Sequence, residues 1–207
     1  MKRENLLIIL DESGSMGSTR LETIQSLTSL LNELKVKAQE DDLNIKVTLT
    51  TFNHLVTQQV THTKLSEIDF DNVLSNYNPD GLTALYDAVG QSVTFLKTKK
   101  PNPTKVIILT DGYENASKEY NQSKIAELLK DVQDNLGWTI SFLGANILDI
   151  NTYVQSLNIK ADNSFSFKDV GGARGSVMAA SLSTMYGFDP NSVTVDTSLV
   201  ESLTRNN

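Results

Sequence analysis

Asp11, Ser13 and Ser15 stand at alternate positions of "DESGS", directly after the apolar run "NLLIIL". Two more oxygen-bearing residues occupy comparable places, Thr83 in "GLTALYDAV" and Asp111 in "ILTDG". The five offer two carboxylates and three hydroxyls, with no nitrogen or sulfur. Such a set suits a hard cation such as Mg²⁺ or Mn²⁺ rather than a zinc site of thiolates and imidazoles. Alternate residues just after a strand can point their side chains the same way, so Asp11, Ser13 and Ser15 can converge on one point. Two carboxylates against one divalent cation leave roughly zero net charge. If the hydroxyls bind directly and the carboxylates act through water, the cation stays electrophilic and favours an anionic ligand at its open position.

Converging these residues requires particular elements. "NLLIIL" (5–10) is continuously apolar and bounded by polar residues, as expected of a strand buried on both faces. Thr19 with Glu22 fits a capping box, and Leu21, Ile24, Leu27, Leu31 and Leu34 mark the apolar face of a helix reaching about residue 40. "NIKVTLTTF" (44–52) reads as a strand. "LVTQQVTHTK" (55–64) follows through the short link Asn53-His54, which predicts a hairpin with an antiparallel edge strand. Leu85, Val89, Ser92 and Leu96 mark a helix opened by Thr83. "TKVIILT" (104–110) is a second continuously apolar strand, ending at Asp111-Gly112. Ile125, Leu128, Leu129, Val132 and Leu136 give a further helix, with Gly137 as its C-cap. "WTISFLG" (138–144) and "SFSFK" (164–168) read as strands, 147–157 as a short helix, and 175–186 as a last helix.

Strands alternating with helices predict an α/β fold: a doubly wound, Rossmann-like, mostly parallel sheet with one antiparallel edge strand and helices on both faces. In such sheets sites form beyond the carboxyl ends of the strands, where strand order reverses. Asp11–Ser15 and Asp111 both follow strands. One domain is expected over 1–187, with a tail of unassigned role over 188–207. The sequence shows no internal repeat and no linker.

The chain has 207 residues and no cysteine, which removes disulfides and thiolate metal sites. Its formal charge is −7, and no cluster of Lys and Arg is visible along the chain beyond "KTKK" at 97–100, which reads as a solvated helix end. Nucleic-acid binding is therefore not expected. The apolar run at the N-terminus covers only Leu6 to Leu10, too short for a secretory signal, and no run approaches the roughly 20 residues that span a bilayer. A cytoplasmic protein without membrane association is expected.

Asp11-x-Ser13-x-Ser15, Thr83 and Asp111, in this order and each at a strand or helix end, resemble the metal-ion-dependent adhesion site of von Willebrand factor A (VWA) domains. The resemblance covers roughly residues 4–187 and is to small stand-alone prokaryotic or phage members. It implies Ser13, Ser15 and Thr83 as direct ligands, Asp11 and Asp111 as water-mediated or exchangeable ones, and Mg²⁺ or Mn²⁺ as the metal. It also implies a non-enzymatic adaptor, with a partner's glutamate or aspartate completing the site. Similar proteins accompany AAA+ ATPases or stress-response systems.

Two other functions remain open from the residues alone. A haloacid-dehalogenase-like Mg²⁺-dependent phosphohydrolase would use Asp11 as nucleophile, but Ser13 stands where such enzymes carry their acid/base aspartate, and serine cannot serve as a general acid near neutral pH. A structural or assembly protein with a residual metal site is the other. His54 and His62 fall on the edge hairpin and read as surface or hydrogen-bonding residues. Glu114 reads as an exposed loop carboxylate near the site rim, and Tyr86 as structural. "GGARGS" (171–176) lacks the lysine of a P-loop and reads as a helix-opening turn, with Arg174 free to meet a partner.

Overall fold

The computed structural model describes residues 2–147, 149–160, 164–167 and 173–187. Its strands are β1 (Lys2–Asp11), β2 (Leu43–Phe52), β3 (Val56–Lys64), β4 (Thr104–Thr110), β5 (Thr139–Ala145) and β6 (Ser164–Phe167). Its helices are α1 (Arg20–Glu40), α2 (Phe70–Ser75), α3 (Leu85–Lys97), α4 (Gln122–Leu136), α5 (Ile150–Ser156) and α6 (Ala173–Tyr186). The strands form one sheet in the order β3-β2-β1-β4-β5-β6, parallel throughout except for the antiparallel edge pair β2–β3. The chain adds strands outward from β1 to β3, then returns to place β4 on the other side of β1. Strand order therefore reverses between β1 and β4.

Successive residues of β1 enter two different cores. Leu6, Ile8 and Leu10 pack with residues of α1, α2 and α6, while Leu7 and Ile9 pack with residues of α3, α4 and α5. A strand buried on both faces has no polar side to show, which is why β1 and β4 read as unbroken apolar runs. Each such Leu or Ile removed from water contributes about 1.5–3 kcal/mol, so the two central strands anchor the fold and hold their carboxyl ends in fixed register.

Several local expectations change. Thr19 does not close a capping box: its hydroxyl donates to Met16 O at 3.2 Å, within a 3-10 turn over Gly14–Thr19 that precedes α1. The inward face of α1 runs through Thr23, Ser26, Leu27, Leu30, Leu31 and Leu34, so Leu21 points to solvent. Small polar residues at 23 and 26 take the inward positions, and an apolar-only reading rotates the face. Leu136 is likewise exposed at the end of α4, although Gly137 does end that helix in the left-handed conformation with φ +66. Thr83 does not open α3, whose N-cap is Ala84. The polar stretch after β3 contains α2, capped by the Asp69 side chain accepting from Asn72 N–H. The turn read at "GGARGS" begins α6 at Ala173, while Gly171, Gly172 and the tail 188–207 lie outside the described residues.

Candidate metal centre

Asp11 is the last residue of β1 and fully buried. Its Oδ1 accepts the Ser13 N–H at 2.7 Å, which folds the chain sharply after the strand, and its Oδ2 accepts the Thr110 hydroxyl of β4 at 2.5 Å. Tyr77, buried between α2 and the site, donates its hydroxyl to the Asp11 carbonyl at 2.6 Å. Burial pushes the Asp11 carboxyl up to about 6 from its ordinary 3.8, against the pull of the hydrogen bonds from Thr110 and Ser13; the Asp111 charge adds to the rise.

The turn made by Asp11 brings the two serines together. Ser13 Oγ and Ser15 Oγ lie 3.1 Å apart, and the Ser15 hydroxyl donates to Asp111 Oδ1 at 2.5 Å. Asp11, Ser13, Ser15 and Asp111 thus form one continuous oxygen cluster across the β1/β4 reversal.

Thr83 reaches the same place from a different segment. A Cβ built on Gly112 would lie 3.4 Å from Thr83 Oγ1, so the hydroxyl abuts the turn that follows Asp111. Its backbone is held there by Asn115: Thr83 N–H donates to Asn115 Oδ1 at 2.9 Å, and Thr83 O accepts Asn115 N–H and Ala116 N–H at 3.0 and 3.2 Å. Among the described residues nothing pairs with the Thr83 hydroxyl, although the residue is 96% removed from solvent (4% exposed). A hydroxyl without a protein partner, beside the turn that carries Asp111, is a donor a bound cation could take.

The loops carrying these residues are laced together. Glu12 N–H donates to Phe52 O, Asp80 N–H to Glu12 O, Gly14 N–H to Gly81 O and Ala84 N–H to Asn53 O, at 2.6–3.1 Å. On the other side, Glu114 accepts from Tyr86 N–H, Ala116 N–H, Ser117 N–H and the Ser117 hydroxyl. Asp87, in the first turn of α3, accepts from Lys118, Glu119 and Tyr120 N–H. Glu114 is therefore half-buried and organises the loop after β4, where an exposed carboxylate was expected. Asp87 was missed altogether; the acidic residue two after the helix-opening leucine was its only trace in the sequence. His54 packs beside Gly81, and His62 Nε2 lies 3.3 Å from Asn5 Oδ1 at the far end of the sheet, so neither belongs to the cluster.

The donor set fits a divalent cation. Among the described residues no three His, Cys, Asp or Glu gather in one place, so a cation site in this part of the chain has to be built with hydroxyls. Here three hydroxyls come together with two carboxylates, enough charge to balance a divalent ion.

Comparison with known proteins agrees with this architecture. The sequence model of the von Willebrand factor type A domain matches residues 5–175. Similar solved structures include proximal thread matrix protein 1 from the mussel byssus, with a zinc-occupied MIDAS motif. It superposes at a TM-score of 0.65 and 15% identity over 89% of this chain and 46% of that one. The pilus adhesin SpaC from Lactobacillus rhamnosus GG gives 0.68 and 16%, over 90% of this chain and 30% of that one. The protein BatB from Bacteroides thetaiotaomicron gives 0.59 and 15%, over 89% of this chain and 99% of that one. The chain spans less than half the length of the byssus protein. A comparison with curated protein sequences gives no match.

Proposed function

This chain belongs to the von Willebrand factor type A domain family, and we propose that it is a non-enzymatic, divalent-metal-dependent protein-binding module whose cation site captures a glutamate or aspartate of a partner protein. The carrying observation is the row Ser13–Ser15–Asp111 at the β1/β4 reversal, beside the unpaired hydroxyl of Thr83. In this reading Ser13, Ser15 and Thr83 are the direct ligands. Asp11 orients Ser13 through its N–H and, with Asp111, holds the ion through water. Mg²⁺ or Mn²⁺ bound there would supply an electrophilic position for one carboxylate oxygen. The zinc-occupied motif of the byssus protein supports a divalent ion at such a site.

The surroundings suit a protein partner. Leu55, Leu82 and Tyr113 are 65%, 57% and 47% exposed and sit on the three loops laced around the cluster. Exposed apolar side chains beside an anion-seeking centre match an acidic residue presented among apolar neighbours. A nucleophilic role for Asp11 is disfavoured because the residue is fully buried and both its oxygens accept hydrogen bonds. The proposal extends to a cytoplasmic partner of the AAA+ ATPase or stress-response kind.

Isothermal titration with Mn²⁺ tests the site, and capture of partners from native cells in Mg²⁺ against chelator, with Asp111→Ala as control, tests the function. Metal-gated capture lost in the variant is expected. Equal capture with chelator and by the variant would remove the reading.

A further inference from the structure

At the end of the sheet opposite the cation site, β1 and β2 run past the end of α3, and the face that α3 covers elsewhere becomes polar. Arg3 and Asn5 of β1 lie in register with Asn44 and Lys46 of β2. Arg3, Asn44 and Lys46, with Glu4 of β1, His62 of β3, and Lys100 and Asn102 beyond α3, line a cavity of about 270 Å³.

The charge in this cavity is unbalanced. Glu4 is already bound by Lys2 and Lys105, each at 2.8 Å. Among the described residues no carboxylate pairs with Arg3, Lys46 or Lys100, whereas Lys37, Lys64, Lys97 and Lys130 each have an acidic partner. Lysines after a helix C-terminus complement the helix dipole, which accounts for Lys99 and Lys100 behind α3. It does not account for Arg3 and Lys46, which stand on strands. Glu4 is the one carboxylate of the lining and its charge is already matched by Lys2 and Lys105, so Arg3, Lys46 and Lys100 leave the cavity positive.

The floor is held in place. His62 occupies an irregularity of the β2–β3 ladder with φ +46, its N–H donating to the Thr48 hydroxyl at 3.3 Å. Its Nε2 lies 3.3 Å from Asn5 Oδ1, and Asn5 Nδ2 donates to Thr104 Oγ1, also at 3.3 Å. Asn5 is almost fully buried, so the imidazole is steadied against a fixed amide. Burial holds His62 below its ordinary range, and the charges of Lys46 and Lys99 add to the lowering. A second cavity of about 390 Å³ shares Lys100 and Asn102 and is walled by Asn5, Leu96, Pro103 and Trp138.

We propose that the basic cavity is a binding site for a small phosphate-bearing anion, held by Arg3, Lys46 and Lys100. An arginine fork with two lysine ammonium groups matches the several oxygens of a phosphate or diphosphate, and a concave pocket fits a small ion better than a flat protein face. The adjoining apolar cavity has room for the organic part of a phosphate ester.

The test is calorimetric titration at low ionic strength with chelator present, so that no divalent ion at the other end of the sheet can hold phosphate. Inorganic pyrophosphate is the first probe and adenosine diphosphate the second. Pyrophosphate is expected to bind, with at least tenfold weaker binding to the double variant Arg3→Ala/Lys46→Ala and to Lys100→Glu, an exposed loop change that does not threaten the fold. Lys118→Ala, an exposed lysine elsewhere, is expected to bind as wild type does. Tighter binding of adenosine diphosphate would identify an organic phosphate using both cavities; equal or weaker binding would identify inorganic phosphate as the source. Unchanged affinity in Lys100→Glu, equal binding of citrate, or preference for a poly-glutamate peptide would overturn the proposal.

Discussion

The Ser15 hydroxyl donates to Asp111 Oδ1 at 2.5 Å and so joins the loop after β1 to the end of β4, 96 residues away in sequence. Asp111 is only half-buried, so its loss is expected to weaken the site far more than the fold. Asp111→Ala is expected to lower Mn²⁺ affinity at least tenfold in calorimetry, while stability falls by about 1 kcal/mol in urea unfolding.

Asp11 opposes function to stability. Its carboxyl is raised in the folded state, so the contribution of this group is fully present below the ordinary carboxylate range and is lost as pH rises through about 6. Asp11→Asn keeps an oxygen for Ser13 N–H and removes the buried charge. The variant is expected to be more stable than wild type above pH 6 in chelator, by on the order of 1–3 kcal/mol, with no difference below pH 4. It is also expected to lose measurable Mn²⁺ binding. Denaturant titrations at the two pH values, with and without metal, check both halves.

Removing Asp87 leaves the N–H groups of Lys118, Glu119 and Tyr120 without their acceptor. Asp87→Ala is expected to cost about 3 kcal/mol and to reduce Mn²⁺ affinity indirectly, through the loop that carries Asn115 and hence Thr83. Hydrogen exchange should show faster exchange at 113–120 while β1 and β4 stay protected; uniform acceleration across the sheet would contradict this.

Glu4 supplies a pH dependence of opposite sign. Burial raises its carboxyl, but hydrogen bonds and charges from Lys105 and Lys2 outweigh burial and leave it below the ordinary range. Its contribution is therefore present above the ordinary carboxylate pKa and lost as pH falls through the lowered one. Glu4→Gln is expected to cost about 2 kcal/mol at pH 7, with the gap to wild type closing below about pH 4. Thermal melts across that range measure it.

Gly81 has φ +75, and a Cβ there would lie 2.4 Å from His54 Nδ1, while its carbonyl accepts Gly14 N–H at 3.1 Å. Gly81→Ala is expected to cost about 1–2 kcal/mol from the backbone conformation alone, and to shift the Ser13–Ser15 turn. His54→Ala in the same chain should recover the steric part of the loss and none of the conformational part, as read from unfolding midpoints.

Much of this arrangement was legible because it follows from burial on both faces of a strand. β1 and β4 are apolar without alternation, and the polar residues where they stop form the oxygen cluster. What escaped reading depends on contacts distant in sequence. The inward face of α1 includes Thr23 and Ser26, which an apolar template passes over. Glu114 and Asp87 act on backbone N–H groups, and such acceptors leave no pattern of side-chain types. The basic cavity draws single residues from β1, β2 and the segment after α3, so no cluster appears along the chain.

Tyr186, the last residue of α6, lies under the ammonium of Lys105, 3.5 Å from the ring centroid, near the start of β4. The chain leaves α6 at Gly187 beside the base of the sheet, whereas Asp11 and Asp111 mark its other end. A pull between a partner held at the cluster and the chain beyond Gly187 would run along the strands. Asp11 and Asp111 would be gripped at the same end, so the rungs joining β4 to β5 and β5 to β6, between the cluster and α6, would be loaded in shear together rather than peeled one by one.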